Sequence, residues 1–200
     1  MNFRPDLKGR WRWPAAVFIA LSLFGCMCEK SPPPAKTEST APEQNTGEEI
    51  MAVTSLEVVD RAEYDDLLAE NLGKVVLVDF WATWCAPCVK QLPHSFALAE
   101  QRRSEGLVVV TVCMEDPDEK ERIQQFLESK ESTATINLLS REGGSSHAME
   151  QFEITGGALP HYKLYDRKQN LRHTFALDPS AAEQFSTEDI GSAVENLLAE

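Results

Sequence analysis

The chain has 200 residues, 42% of them hydrophobic, and a formal net charge of -13 at pH 7. This length suits one domain with appended segments, and the hydrophobic content is enough to form a buried core. Because so acidic a chain is repelled by nucleic-acid phosphates and by anionic lipid, the composition argues against a nucleic-acid-binding protein.

The N-terminus has the pattern of an export signal. Four basic residues precede the apolar stretch 13–25, which ends in a glycine followed by Cys26. This order is typical of a signal peptide, and the stretch is short for a membrane span. Leu23-Phe24-Gly25-Cys26 resembles a bacterial lipoprotein box, which implies cleavage before Cys26 and lipidation of its sulfur. We predict a signal peptide with a lipoprotein box over residues 1–26, with an ordinary cleaved signal or an uncleaved anchor as alternatives.

The next segment, residues 27–55, is rich in Pro, Thr, Ser, Glu and Gln and has almost no large apolar residue before Ile50. Such a composition buries too little surface to fold. We therefore predict a disordered tether, which would hold a following domain away from the membrane if Cys26 is lipidated.

From Leu56 onward the hydrophobic periodicity predicts an α/β layered domain over residues 56–200. Two near-continuous apolar runs, 75–81 and 107–113, are typical of parallel strands that helices cover on both faces. In chain order, the patterns predict a strand at 56–59, a helix opened by Asp60, the strand 75–81, a helix with Val89, Leu92, Phe96 and Ala99 on one face, the strand 107–113, a helix at 119–129, a strand at 136–139, a helix at 145–152, a hairpin of 161–165 with 171–177, and a closing helix capped by Thr187.

The most informative motif is Cys85-Ala86-Pro87-Cys88, directly after the strand 75–81. Its spacing lets both sulfurs reach disulfide distance, and Cys85 can stand at a helix N-terminus, where the helix dipole stabilises a thiolate. A zinc site would need two more ligands, and none follows at a suitable spacing. A static disulfide is the other alternative, but the context favours a redox dithiol.

These residues carry a family resemblance. Residues 78–88, Val-Asp-Phe-Trp-Ala-Thr-Trp-Cys-Ala-Pro-Cys, resemble the active-site segment of the thioredoxin superfamily. Pro93 matches the helix-kinking proline of that family, and the segment 156–160 resembles the loop that places a cis-proline opposite the dithiol. The export segment, the tether and a helical insertion near 117–129, after the second core strand, point to the extracytoplasmic TlpA-like branch. The resemblance covers about residues 56–200 and implies a thioredoxin-like fold, a central mixed sheet flanked by helices.

Three departures from the family pattern leave the choice of substrate open. Gln91 stands where this branch often has Glu, three residues after the second cysteine. The proline loop is one residue longer than the tight form, and His161 follows the proline where thioredoxins usually have Thr.

The resemblance and thiol chemistry together imply catalytic roles. Cys85 would attack a substrate disulfide as a thiolate, and Cys88 would resolve the mixed disulfide. Asp79 occupies the position of the family's buried aspartate, which accepts a proton from the resolving cysteine. A carboxylate inside a buried strand is costly without a purpose, although Asp79 could also lie at a strand end facing water.

Pro160 is expected to be a cis-proline that lets the Leu159 backbone pair with an extended substrate segment; a trans proline in a plain turn is the alternative. Trp81 and Trp84 could shield the site or simply be core. The predicted substrate-binding residues are Trp84, Ala86, Pro87, Leu159 and His161.

Other chemistry-bearing residues fit plain structural roles. Cys113 lies alone in an apolar strand and is predicted to be a buried small hydrophobe. The four histidines have no metal-ligand spacing, and the acidic run 115–119 fits a solvated loop that caps a helix better than a calcium site. We expect no metal and no cofactor beyond the Cys85–Cys88 disulfide.

We therefore expect a bacterial membrane-tethered lipoprotein that reduces protein disulfides in the cell envelope, acting as a monomer. Its expected partners are protein thiols and disulfides, a transmembrane thiol reductant as electron donor, and the membrane itself. A disulfide oxidase or isomerase, a redox-inactive binding module and a peroxiredoxin-like peroxidase are the alternatives. The last usually needs Thr three residues before its cysteine, whereas Thr83 lies two before Cys85.

Overall fold

The computed structural model of the protein describes residues 55–130, 133–178 and 180–200. The predicted export segment 1–26, with Cys26, and all but the last residue of the predicted tether 27–55 lie outside the described residues. Among the helices of the described ranges, none combines the length and hydrophobicity needed to cross a bilayer.

The centre of the fold is one mixed sheet of six strands in the order β1-β4-β3-β2-β5-β6. The strands β1 to β4 run parallel to one another, and β5 and β6 join antiparallel at the β2 edge. The strands are β1 (Leu56–Val59), β2 (Val75–Trp81), β3 (Leu107–Cys113), β4 (Ile136–Ser140), β5 (His161–Tyr165) and β6 (Leu171–Ala176).

Five α-helices connect and cover these strands, namely α1 (Arg61–Glu70), α2 (Ala86–Arg102), α3 (Lys120–Glu128), α4 (Ser146–Gln151) and α5 (Thr187–Leu198). A capping box of Asp60 and Glu63 opens α1, as the sequence predicted. The closing helix differs by one residue from its prediction, because Ser186 rather than Thr187 is the N-cap. The Ser186 hydroxyl accepts a hydrogen bond from the Asp189 N–H, and the Asp189 carboxylate bonds back to Ser186.

Both faces of β2 and β3 are covered, so these two strands need no polar face. Alternate side chains of β2 enter different clusters. Val76, Val78 and Phe80 pack with residues of α1, α3 and α4. Val75 and Leu77 pack with the end of α2 and with α5. Asp79 has the parity of the second set and therefore lies on the face that α2 covers.

The predicted thioredoxin-like α/β fold is confirmed. The insertion after β3 supplies α3 and also β4, which lies between β1 and β3 in the sheet. Every predicted strand and helix is present, with bounds that differ by one or two residues.

Candidate active site

The two cysteines of the motif form a disulfide at the start of α2, with their Cα atoms 5.2 Å apart. Cys85 is the N-cap of α2, and its sulfur accepts a 3.4 Å hydrogen bond from the Cys88 N–H. Pro87 fits in the first turn because the N–H that it lacks has no partner within the helix. The helix dipole and this N–H therefore both favour negative charge on the Cys85 sulfur after reduction.

The cysteine pair lies just beneath a surface that carries one large apolar residue. Cys85 is 6% exposed and Cys88 is 1% exposed, so Cys85 is the more accessible residue of the pair. Trp84 is 65% exposed, and Ala86 and Pro87 are exposed as well. These three residues form an exposed surface beside the cysteines. Trp81, in contrast, is fully buried core.

Asp79 lies in the middle of the sheet, and its side chain is only 1% exposed. The alternative of a strand-end aspartate facing water is therefore wrong. Burial raises the pKa of Asp79 to about 7, although the hydrogen bond from Ser95 and the nearby Tyr162 hydroxyl oppose this rise. The Ser95 hydroxyl donates to Oδ2 at 2.6 Å, while Oδ1 has no hydrogen-bond partner within the described chain.

Two residues around Asp79 were missed by sequence reasoning. Ser95 lies on α2, seven residues after Cys88, and Tyr162 is the register partner of Asp79 on β5. The Tyr162 hydroxyl lies near Asp79 and donates its proton to Gln91 Oε1 at 3.2 Å, so Gln91 belongs to the same polar group. Ser95 had one available signal, because it lies between Leu92 and Ala99 on the buried helical face.

The predicted cis-proline is present, since the Leu159-Pro160 peptide bond is cis. Phe80 of β2 pairs with His161 of β5, so Pro160 lies at the same end of the sheet as the turn that leads to Cys85. Leu159 and both cysteines belong to one buried cluster. Gly156 and Gly157 have φ angles of +69° and +64°, a backbone conformation that explains two consecutive glycines in this loop.

The prediction that His161 contacts a substrate does not fit its burial. Its side chain is 0% exposed and packs edge-on against Phe80, with 5.9 Å between ring centroids. Burial, assisted by the charge of Lys163, lowers the pKa of His161 to about 4. A residue directly after a surface loop looked accessible in sequence, but His161 already belongs to β5.

The other polar groups near the site have structural partners. Cys113 is fully buried, as predicted, and burial raises the pKa of its thiol. Lys163 is also buried and donates to the Phe152 carbonyl at 2.8 Å and to Glu153 at 3.0 Å. Within the described residues, no group of three or more His, Cys, Asp or Glu side chains could hold a metal ion.

The acidic run 115–119 was predicted to be a solvated loop, and for Glu115 this prediction is wrong. Glu115 is 5% exposed, and its carboxylate accepts hydrogen bonds from the Thr83 N–H and from Arg122 of α3. Asp116 does cap the turn that follows, by accepting a 3.0 Å hydrogen bond from the Asp118 N–H.

Comparisons with known proteins agree with this geometry. The chain is 25% identical over 134 residues to the sporulation thiol-disulfide oxidoreductase A of Bacillus subtilis, covering 66% of this chain and 77% of that protein. It is 28% identical over 71 residues to the thiol-disulfide oxidoreductase ResA of Geobacillus kaustophilus, covering 36% of this chain but only 40% of that relative.

The solution structure of a thiol:disulfide interchange protein from Bacteroides sp. has the same fold. It superposes with a TM-score of 0.51 at 22% identity, covering 66% of this chain and 77% of that one. The family model named Redoxin matches residues 46–190. The chain therefore belongs to the Redoxin family, and within the thioredoxin superfamily it is a TlpA-like thiol–disulfide oxidoreductase.

Proposed function

We propose that this protein reduces disulfides of client proteins outside the cytoplasm, through a mixed disulfide on Cys85 that Cys88 resolves. The observation that carries the proposal is the Cys85–Cys88 pair at the N-terminus of α2, on the helix that covers buried Asp79. The more accessible Cys85, the more deeply buried Cys88 and a carboxyl with a pKa of about 7 are groups that suit a two-step thiol exchange.

The first step uses the reduced form of the pair. The Cys85 thiolate attacks one sulfur of a client disulfide, a new S–S bond forms between Cys85 and the client, and the other client sulfur leaves as a thiolate. Trp84, Ala86 and Pro87 supply the exposed surface beside the attacking sulfur. The backbone of Leu159, before the cis-proline, would pair with an extended client segment.

The second step needs a base because Cys88 is a buried thiol. In the proposed mechanism the Asp79 carboxylate accepts the Cys88 proton, and the Cys88 thiolate attacks the Cys85 sulfur. The Cys85–Cys88 disulfide forms, and the second client sulfur leaves as a thiolate and takes a proton. Two electrons thus pass from the dithiol to the client. A pKa of about 7 allows Asp79 to hold or release this proton near neutral pH.

Each turnover leaves the protein oxidised, so a reductant must restore the dithiol. We propose a transmembrane thiol reductant, since an exported protein has no direct access to cytosolic reducing enzymes. The N-terminal pattern ending in Cys26 supports export and tethering as a lipoprotein.

Insulin reduction by the full-length chain, with dithiothreitol as reductant, tests the activity. We expect turnover by the wild type and loss of at least 100-fold in the Cys85→Ser variant, because the remaining described cysteines, Cys88 and Cys113, are 1% and 0% exposed and too buried to attack a client disulfide. Equal inactivity of both proteins would favour a binding module that only docks partners.

The role of Asp79 has its own test. The Asp79→Asn variant should resolve a mixed disulfide about 10- to 100-fold more slowly at pH 7, because the Cys88 proton loses its acceptor. Client release in a single turnover measures this rate, and unchanged kinetics would remove the role from Asp79.

The direction of electron flow is settled by equilibrium with glutathione. A reductase should have a potential near that of thioredoxin, about -270 mV, whereas a value near -120 mV would identify an oxidase. Replacing Cys88 with Ala would trap clients on Cys85 as stable mixed disulfides, whose partners mass spectrometry can identify.

A further inference from the structure

A buried carboxylate from the end of β3 holds the loop that leads to the active-site cysteine. Glu115 is two residues past β3 and only 5% exposed. Its Oε1 accepts the backbone N–H of Thr83, which lies two residues before Cys85. A buried carboxylate is retained in a fold only when charged or strongly polar groups satisfy it, so this contact fixes the loop position.

The positive partner of Glu115 comes from the insertion. Arg122 of α3 donates to Glu115 Oε2 through Nη2 at 2.5 Å, and to the Thr83 hydroxyl through Nη1 at 2.9 Å. One guanidinium therefore binds both the carboxylate and the loop residue that the carboxylate holds. Arg122 is half-exposed, and its Nε also donates to Glu119 at 2.7 Å on the solvent side.

The same helix makes a second contact with the start of this loop. Phe126 of α3, one turn after Arg122, stacks on Trp81 with ring centroids 5.4 Å apart. Trp81 ends β2, and Ala82, Thr83 and Trp84 follow it before Cys85. Helix α3 thus contacts both Trp81 and Thr83, at the start of the segment that leads from β2 to Cys85.

Among the ion pairs of the described residues, Glu115 has no positive partner besides Arg122. The Cys113 thiol donates a weak hydrogen bond to Glu115 Oε1, with the sulfur 3.8 Å from that oxygen. Burial raises the pKa of this thiol, so the thiol is neutral. Asp116 and Asp118 follow in the connecting turn and are negative. Arg122 is accordingly the group that balances the Glu115 charge on this side of the loop.

We propose that Glu115 and Arg122 are a positioning pair for the active-site loop, which holds Thr83 in place and sets the charge balance beside the Cys85 thiolate. The proposal rests on the proposed function, in which Cys85 is the attacking thiol. Two residues of extended chain span about 7 Å, so the Glu115 carboxylate lies within about 10 Å of the Cys85 backbone. At this separation an unpaired charge still acts on a thiolate.

Substitutions of the two partners should shift the pKa of Cys85 in opposite directions. Glu115→Gln keeps an oxygen for the Thr83 N–H but removes the negative charge, so Arg122 should lower the pKa of Cys85. Arg122→Met leaves the carboxylate unbalanced and should raise it. We expect a shift of about 0.3 to 1 in each direction, with solvent screening at the half-exposed guanidinium setting the lower end. The double variant should lie close to the wild type.

The experiment follows alkylation of Cys85 by iodoacetamide in the reduced full-length chain between pH 4 and 9, with the modified peptide quantified by mass spectrometry. This readout needs no client, so it stays informative even if insulin reduction fails and the proposed function with it. The proposal would be overturned if the pKa of Cys85 shifted in the same direction in both single variants, or in neither. Loss of a purely structural contact would not give shifts that follow the sign of the charge removed.

Two further variants control for folding and for distance. If Arg122→Met does not fold, as judged by circular dichroism, Arg122→Gln replaces it, since glutamine can still donate to Thr83 or Glu115 without charge. Arg102→Met removes an arginine that pairs with Glu195 near the far end of α2. That site is about 25 Å from Cys85 along the helix, so the pKa of Cys85 should not move. A shift there equal to that of Arg122→Met would also overturn the proposal.

Discussion

The Ser95 hydroxyl donates a 2.6 Å hydrogen bond to Oδ2 of Asp79, and both side chains are fully buried beneath the dithiol helix. Such a bond stabilises the charged carboxylate and therefore opposes the effect of burial on its pKa. Ser95 thus acts on the proposed proton acceptor through this hydrogen bond.

Replacing Ser95 with Ala should raise the pKa of Asp79 from about 7 by about 1, because a hydrogen bond to a charged group is worth about 1.5–3 kcal/mol and the Tyr162 hydroxyl can turn from Gln91 to the carboxylate and replace part of it. Carbon-detected NMR titration of the Asp79 carboxyl in the oxidised protein measures the change. Ser192→Ala, which removes an exposed hydroxyl bonded to the Glu188 carbonyl, is the matched control. An unaltered titration of Asp79 in Ser95→Ala would contradict this role.

The raised pKa of Asp79 also makes folding stability depend on pH. Between its ordinary value of 3.8 and about 7, the folded state keeps a proton that the unfolded state releases. Wild-type stability due to this group is therefore complete below about pH 4 and lost as the pH rises through 7. Asp79→Asn carries no such charge, so its stability relative to the wild type should increase by about 4 kcal/mol from pH 4 to pH 8. Urea unfolding of the oxidised proteins tests this, and a constant difference across that range would refute it.

The sequence predicted those parts of the site that are local patterns. The CxxC spacing, Asp79 within an apolar strand and the glycine-proline loop each lie within a few residues, and their backbone consequences follow from short-range chemistry. Glu115 was assigned to a solvated loop because it begins an acidic run. Its burial depends on Arg122 returning from α3, a contact that only the tertiary fold creates. Ser95 and Tyr162 were missed for the same reason, since α2 and β5 meet over Asp79 only after the sheet has formed.

Cys113 should be chemically silent in the folded protein. Its side chain is 0% exposed, and burial together with the nearby Glu115 charge raises the pKa of the thiol. Because the thiolate is the reactive species, iodoacetamide at pH 8 should modify Cys85 of the reduced protein at least 100-fold faster than Cys113. Cys113 should react only after denaturation in guanidinium chloride. Peptide mass spectrometry distinguishes the sites, and comparable rates in the native state would show that β3 opens near its end.

His161 should make folding stability depend on pH in the direction opposite to that of Asp79. Its folded-state pKa of about 4 lies below the ordinary value of 6.5, because burial disfavours the imidazolium and Lys163 repels it. Between these values the unfolded state binds a proton that the folded state does not, so stability falls as the pH drops from 6.5 towards 4.

His161→Leu removes that loss and should gain about 2–3 kcal/mol relative to the wild type between pH 7 and pH 4. His173→Leu changes an exposed imidazole and should show no such gain. Thermal unfolding of the oxidised proteins at both pH values decides the matter, and parallel pH curves for His161→Leu and the wild type would mean that His161 is hydrated or partnered in solution.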